Sequence, residues 1–228
     1  MEPSKNQAGQ TTFRSYMYFW AGQLTSLLGS SVSQFVIVWW ITLETESVLY
    51  LSLSSFLGFV PLVLLSPFAG VLADRWSRRA LIAVTDFLQA MATVVLIFLY
   101  WFGGASIWAV LVILTFRGVM QAFHFPASSA ITPLMVPREK LSRINGLNYL
   151  LSGAVTLVGP IVAALLLEVW AIHQILWIDA VTFIVAVIPL LMIVIPSVRL
   201  SHEKSSFTED FTEGLTFVKK AKGVLTLL

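Results

Sequence analysis

Residues Gly70 to Arg79 read GVLADRWSRR, a knot of one aspartate and three arginines between two apolar stretches that are each long enough to cross a bilayer. The stretch before it, VLYLSLSSFLGFVPLVLLSPFAGVLA from position 48, shows no alternation of apolar and polar residues. A membrane strand needs that alternation and a closed barrel, whereas a helix satisfies its own backbone. The knot therefore reads as a short, charged connection on one side of a membrane, between two transmembrane helices.

Composition agrees. Of 228 residues, 57% are hydrophobic and 11% charged, and the mean hydropathy is +0.86. So few charges cannot cover the surface of a water-soluble fold of this size. The absence of cysteine excludes disulfides, thiolate metal sites and a thiol nucleophile.

Six segments are apolar enough to span about 30 Å of hydrocarbon at 1.5 Å per residue. They are predicted near 16–41, 48–72, 80–102, 105–125, 146–167 and 172–195. The fold class is thus an all-α membrane protein, a bundle of six transmembrane helices. Of the fourteen Lys and Arg, Arg117 alone lies within a predicted span. The rest precede the first span, follow the sixth, or fall in two connections, one with Arg75, Arg78 and Arg79, the other with Arg138, Lys140 and Arg143. The other three connections hold no Lys or Arg. By the positive-inside rule both ends of the chain, including an amino-terminal segment over 1–15, are expected to be cytoplasmic. The first span is too long for a signal-peptide core and no small-residue cleavage site follows it, so it is expected to be retained.

After Pro196 the chain turns polar, and Phe207, Phe211, Leu215 and Val218 recur at helical spacing. Ser206 with Glu209 offers a capping box, and Lys219, Lys220 and Lys222 suit a helix C-terminus. Residues 196–222 are therefore expected to form a cytoplasmic loop with an amphipathic helix on the inner membrane face. The last six residues, GVLTLL over 223–228, look like the opening of a seventh span, so a longer protein is expected.

GVLADRWSRR resembles the loop signature of the major facilitator superfamily, Gly-x-Leu-Ala-Asp-Arg-x-x-Arg-Arg, between the second and third spans. Gly70, Leu72, Ala73, Asp74, Arg75, Arg78 and Arg79 match every specified position. The resemblance implies a conformational latch between two halves of a transporter, built on Gly70, Asp74, Arg75, Arg78 and Arg79. A plain positive-inside anchor would account for the arginines but not for the glycine and aspartate.

In the fifth span Gly153, Gly159 and Pro160, followed by Ala163 and Ala164, resemble the family's antiporter motif, with alanines in place of its terminal glycines. Small residues and a proline also suit ordinary packing and bending of membrane helices. Gly58 and Pro61 interrupt the second span as Gly159 and Pro160 interrupt the fifth, as two inverted three-helix repeats would predict. MYFWAGQLTSLLGSSVSQ in the first span, FRGVMQAFHFPASSAITPLMVP from the fourth and LWIDAVTFIVAV in the sixth resemble the macrolide efflux branch. The resemblance spans nearly the whole chain but only the amino-terminal half of a twelve-span transporter. It implies a prokaryotic plasma membrane, a proton gradient as energy source and no cofactor.

Ionisable groups inside hydrocarbon cost several kcal/mol unless paired or hydrated, so Asp86, Arg117 and Asp179 are the first functional candidates. Arg117 lies about 13 Å and Asp86 about 9 Å from the inner end of their spans, so the two are expected to be able to pair. The resemblance associates an arginine here, followed by a glutamine such as Gln121, with proton coupling. Either Arg117 tunes a carboxylate that carries a proton, or the pair is a permanent structural link. Asp179 lies at the depth of Gln34, and a hydrogen bond between them is expected. Gln23, Gln34 and Asp179 are cavity candidates, although aromatic belts and lipid-facing packing explain most of the neighbouring side chains as well.

His124 and His173 are expected to be interfacial or satisfied residues, with no metal site. There is no phosphate-binding Gly-rich loop and no catalytic constellation, so neither an ATP-driven pump nor an enzyme is expected. With the basic residues in short connections, a nucleic-acid partner has no support either. The leading reading is a proton-coupled exporter of hydrophobic or amphipathic small molecules by alternating access, with siderophore or lipid as alternative cargo. The competing reading is a truncated half-transporter or membrane interaction module. Its missing partner would be a carboxy-terminal six-span half or a second copy.

Overall fold

A computed structural model describes residues 5–193 and 195, apart from the side chains of 5–11, 74 and 75. Seven helices follow one another among the described residues: α1 (Lys5–Thr45), α2 (Val48–Arg75), α3 (Arg78–Trp101), α4 (Ile107–Ser129), α5 (Thr132–Met135), α6 (Arg138–Leu167) and α7 (Ile172–Met192). Six are long and apolar enough to cross a membrane, and α5 is a single turn between α4 and α6. The chain is an all-α bundle of six membrane-spanning helices. The expected amphipathic helix over 196–222 and the start of a seventh span lie outside the described residues.

Helix ends depart from the hydropathy boundaries in a consistent way. α2 runs on to Arg75 and α3 begins at Arg78, so only Trp76 and Ser77 of the charged knot are non-helical. The Ser77 side chain accepts a hydrogen bond from the Ala80 amide, which caps α3. α6 begins at Arg138, so Arg138, Lys140 and Arg143 lie on its first two turns and not in a loop. Hydropathy marks where hydrocarbon ends, whereas a helix ends where its backbone finds another hydrogen-bond partner. Gly103 shows this at the end of α3: with φ at 70° it lets the Gly104 amide reach the Leu99 carbonyl at 2.9 Å.

α1 packs along α7 and α6, α2 along α4, and α3 along both α4 and α7. Exchanging α1 with α4, α2 with α6 and α3 with α7 returns the same set of pairs. The two triplets are therefore interlocked around a two-fold relation, as inverted repeats require.

Two close crossings obey the same exchange. Where α4 passes α2, a Cβ on Gly118 would lie 2.5 Å from the Gly58 carbonyl oxygen. Where α1 passes α6, a Cβ on Gly159 would lie 2.7 Å from Ser31 Cβ. Gly58 and Gly159 thus occupy corresponding places in the two triplets, although the side chains that the crossings exclude are those of Gly118 and Gly159, since a Cβ on Gly58 itself meets nothing within 4 Å. Among the described residues a Cβ on Gly70 or Gly153 meets nothing within 4 Å, so neither serves a close crossing within this bundle.

The core has two ends. One apolar cluster contains Tyr16, Phe19, Leu81, Ile82, Ala127, Met135 and Leu190, near the basic connections. The other contains Ile37, Ile41, Leu96, Ile97, Leu111, Leu114 and Leu176, near the opposite end. Between them lies a belt where α1, α3, α4 and α7 carry polar side chains.

Candidate functional site

The belt is built on a seven-residue repeat. Gln23 and Ser30 on α1, Asp86 and Thr93 on α3, and Arg117 and His124 on α4 are each seven apart. Seven residues are close to two helical turns, so each pair faces the same way with about 10 Å between its members. The three pairs, joined by Asp179 of α7, form two layers.

In the deeper layer Arg117 Nη1 lies 2.7 Å from Asp179 Oδ2, with both side chains buried. Thr93 donates to the same oxygen at 2.6 Å, and Ser30 donates to Oδ1 at 2.7 Å. Arg117 also contacts Thr93 Oγ1. This layer joins α1, α3, α4 and α7 through one carboxylate. Gly29 admits α7 at this point, since a Cβ there would lie 3.2 Å from Asp179 Cα.

In the layer towards the basic connections, His124 Nε2 lies 3.1 Å from Asp86 Oδ1 and 3.2 Å from Gln23 Oε1. The Gln23 amide donates to Asp86 Oδ2 at 3.4 Å, closing a three-residue ring across α1, α3 and α4.

Two sequence expectations are corrected here. Arg117 pairs with Asp179, not with Asp86, because α4 places Arg117 level with Thr93, two turns beyond Asp86. Asp179 bonds Ser30 rather than Gln34, one turn further along α1, because its oxygens are taken up by Ser30, Thr93 and Arg117. His124, expected to be an interfacial or satisfied residue, is satisfied by Asp86 and Gln23. Ser30, Thr93 and His124 were missed, and the seven-residue spacing of polar side chains on three helices was the signal that could have found them.

Between the layers lies a cavity of about 60 Å³, lined by Gln23, Ser26, Leu27, Ser30, Asp86, Gln89, Ala90, Gln121, His124, Asp179 and Phe183. It is polar and has room for several water molecules. Gln23, Asp86, Gln121 and Asp179 meet in it, while Gln34 does not line it. Among the described residues no group of acidic and histidine side chains could hold a metal ion.

At the basic end Arg78 donates to the Ala130 carbonyl at 3.5 Å, and Arg79 bonds the Leu191 carbonyl, so both reach carbonyls at the ends of neighbouring spans. The side chains of Asp74 and Arg75 lie outside the described residues. Pro160 sits within α6 one residue after the Gly159 crossing, and Gly153 is exposed.

Residues 19–228 match the family model described as Major Facilitator Superfamily. Macrolide efflux protein A of Streptococcus pyogenes is 35% identical over 211 residues, covering 92% of this chain and 52% of that protein. The protein of the same name from Enterococcus faecalis is 35% identical over 176 residues, 76% of this chain and 54% of the relative. A staphyloferrin A transporter of Staphylococcus aureus is 24% identical over 172 residues, 75% of this chain and 43% of the relative. The chain spans about half the length of the curated relatives it matches. A match that runs from residue 19 to the last residue, on a bundle of two interlocked helix triplets, means that this chain belongs to the Major Facilitator Superfamily.

Proposed function

We propose that this bundle is part of a proton-coupled secondary transporter that exports amphipathic small molecules from a bacterial cell by alternating access. The observation that carries the reading is the polar cavity among the membrane-spanning helices, walled by four of them and holding two buried carboxylates. Buried ionisable groups in a membrane bundle mark solute and ion pathways. The 35% identity to macrolide efflux proteins supports a hydrophobic drug as cargo.

The charges narrow the cargo further. Arg117 is neutralised by Asp179, which leaves Asp86 with His124 and the neutral Gln23. Such a cavity suits a solute carrying an amine and disfavours a polyanion, so the siderophore alternative receives no support from its electrostatics. The basic connections and the superfamily loop at Gly70–Arg79 support a cytoplasmic placement of that end.

The test is accumulation of a macrolide in cells expressing the protein, with and without an uncoupler. Lower accumulation that the uncoupler abolishes is expected, and equal retention in both conditions sinks the reading. The coverage of about half of each relative favours a second possibility, a six-span bundle that needs a further half or a second copy. Expression of the 228 residues with and without a second six-span half distinguishes the two, since a lone bundle of that kind shows no efflux.

A further inference from the structure

We propose that His124 is the group on which this bundle carries its proton, with Asp86 as its counter-ion, and that the Arg117–Asp179 pair is a permanent cross-link. The assignment deepens the proton coupling proposed above and rests on that reading.

Chemistry separates the two layers. A guanidinium does not release its proton, and Asp179 already accepts from Arg117, Thr93 and Ser30, so that layer is closed. Imidazole is the side chain that ionises near neutral pH. Both acceptors around His124, Asp86 Oδ1 and Gln23 Oε1, face Nε2 at 3.1 and 3.2 Å, so Nε2 keeps its hydrogen in either charge state. The proton then comes and goes at Nδ1, which has no hydrogen-bond partner among the described residues, on a side chain that lines the cavity. A hydronium ion reaching the cavity gives its proton to the Nδ1 lone pair: one O–H bond breaks, one N–H bond forms, and neutral water is left behind.

The charged surroundings leave this site to its own counter-ion. Asp86 faces His124 from α3, and Arg117 with Asp179 lies about 10 Å deeper. Arg78 and Arg79 stand about two turns from Asp86 towards the basic end, on carbonyls of other helices. α1 contributes the neutral Gln23 and Ser26, and α2, behind α4, has no charged residue from Val48 to Ala73.

The consequence is exchange by competition. An imidazolium neutralises Asp86, whereas a neutral imidazole leaves the carboxylate free to take a cationic solute, so proton and solute exclude one another.

The protein carries three histidines, so His173→Gln with His202→Gln leaves one imidazole to observe. The reconstituted protein, labelled with ¹⁵N-histidine, is titrated by NMR across about pH 5 to 8, where imidazole ionises. The neutral form should carry hydrogen on Nε2, protonation should occur at Nδ1, and the midpoint should respond to Asp86→Asn. A His124 that does not ionise in this window, or a midpoint indifferent to Asp86→Asn, overturns the assignment. Drug efflux separates this from the broader reading. Uncoupler-sensitive efflux whose pH profile is unchanged by His124→Gln removes His124 and keeps the exporter; the expected titration without any efflux does the reverse.

Discussion

Arg117 and Asp179 meet at 2.7 Å in the middle of the bundle, and their contact ties α4 to α7. Under the two-fold exchange of the triplets these helices correspond to α1 and α3, which meet in the other polar layer through Gln23 and Asp86. One layer is held by a full ion pair. The other sets the Asp86 carboxylate between an imidazole and a carboxamide.

Removing either member of the Arg117–Asp179 pair leaves a buried charge without a partner. Arg117→Gln or Asp179→Asn should each cost about 3–5 kcal/mol, and the double variant should cost less than the sum. Thermal unfolding of the purified protein in detergent, run as a double-mutant cycle, reads the coupling; strict additivity would contradict the pairing.

The helix crossings make a second, steric prediction. Gly118→Ala places a methyl group against the Gly58 carbonyl, and Gly159→Ala places one against Ser31, so each should destabilise by about 1–3 kcal/mol. Gly153→Ala meets open space and should be neutral. The yield of monodisperse protein compares the three, and an equal loss at Gly153 would refute the packing.

Thr93 connects the two charged residues of the deeper layer. Thr93→Val keeps the shape but removes a 2.6 Å hydrogen bond to Asp179, at an expected cost of about 1.5–3 kcal/mol. The same unfolding assay should show that this loss shrinks when Asp179 is already Asn.

Orientation can be tested directly because the chain has no cysteine. Glu139→Cys, exposed on the first turn of α6, should react with an impermeant maleimide only after cells are permeabilised. Gly104→Cys, exposed between α3 and α4, should react in intact cells. The opposite pattern would invert the topology.

The number of spans, their helical character and the superfamily were all legible in the sequence. Each rests on local quantities: the length of apolar stretches, the confinement of Lys and Arg to alternate connections, and the fixed offsets of Gly70, Asp74 and the arginines. Asp86, Arg117, Gln121 and Asp179 were legible as candidates for the same reason, since an ionisable or amide side chain within an apolar span stands out wherever it occurs.

Partnership was another matter. Depth along a helix can be counted from sequence, but which helix lies opposite depends on how the triplets interlock, and that follows from crossings such as Gly118 on Gly58 and Ser31 on Gly159. Counting alone allowed Arg117 to pair with Asp86, set Asp179 level with Gln34, and offered no particular partner for His124. Packing instead brings α7 against α1 and α3, carries Asp179 to Arg117, and leaves Asp86 to His124. Hydropathy is a property of each residue, whereas an ion pair belongs to two helices at a particular rotation and height, which close packing of the whole bundle sets.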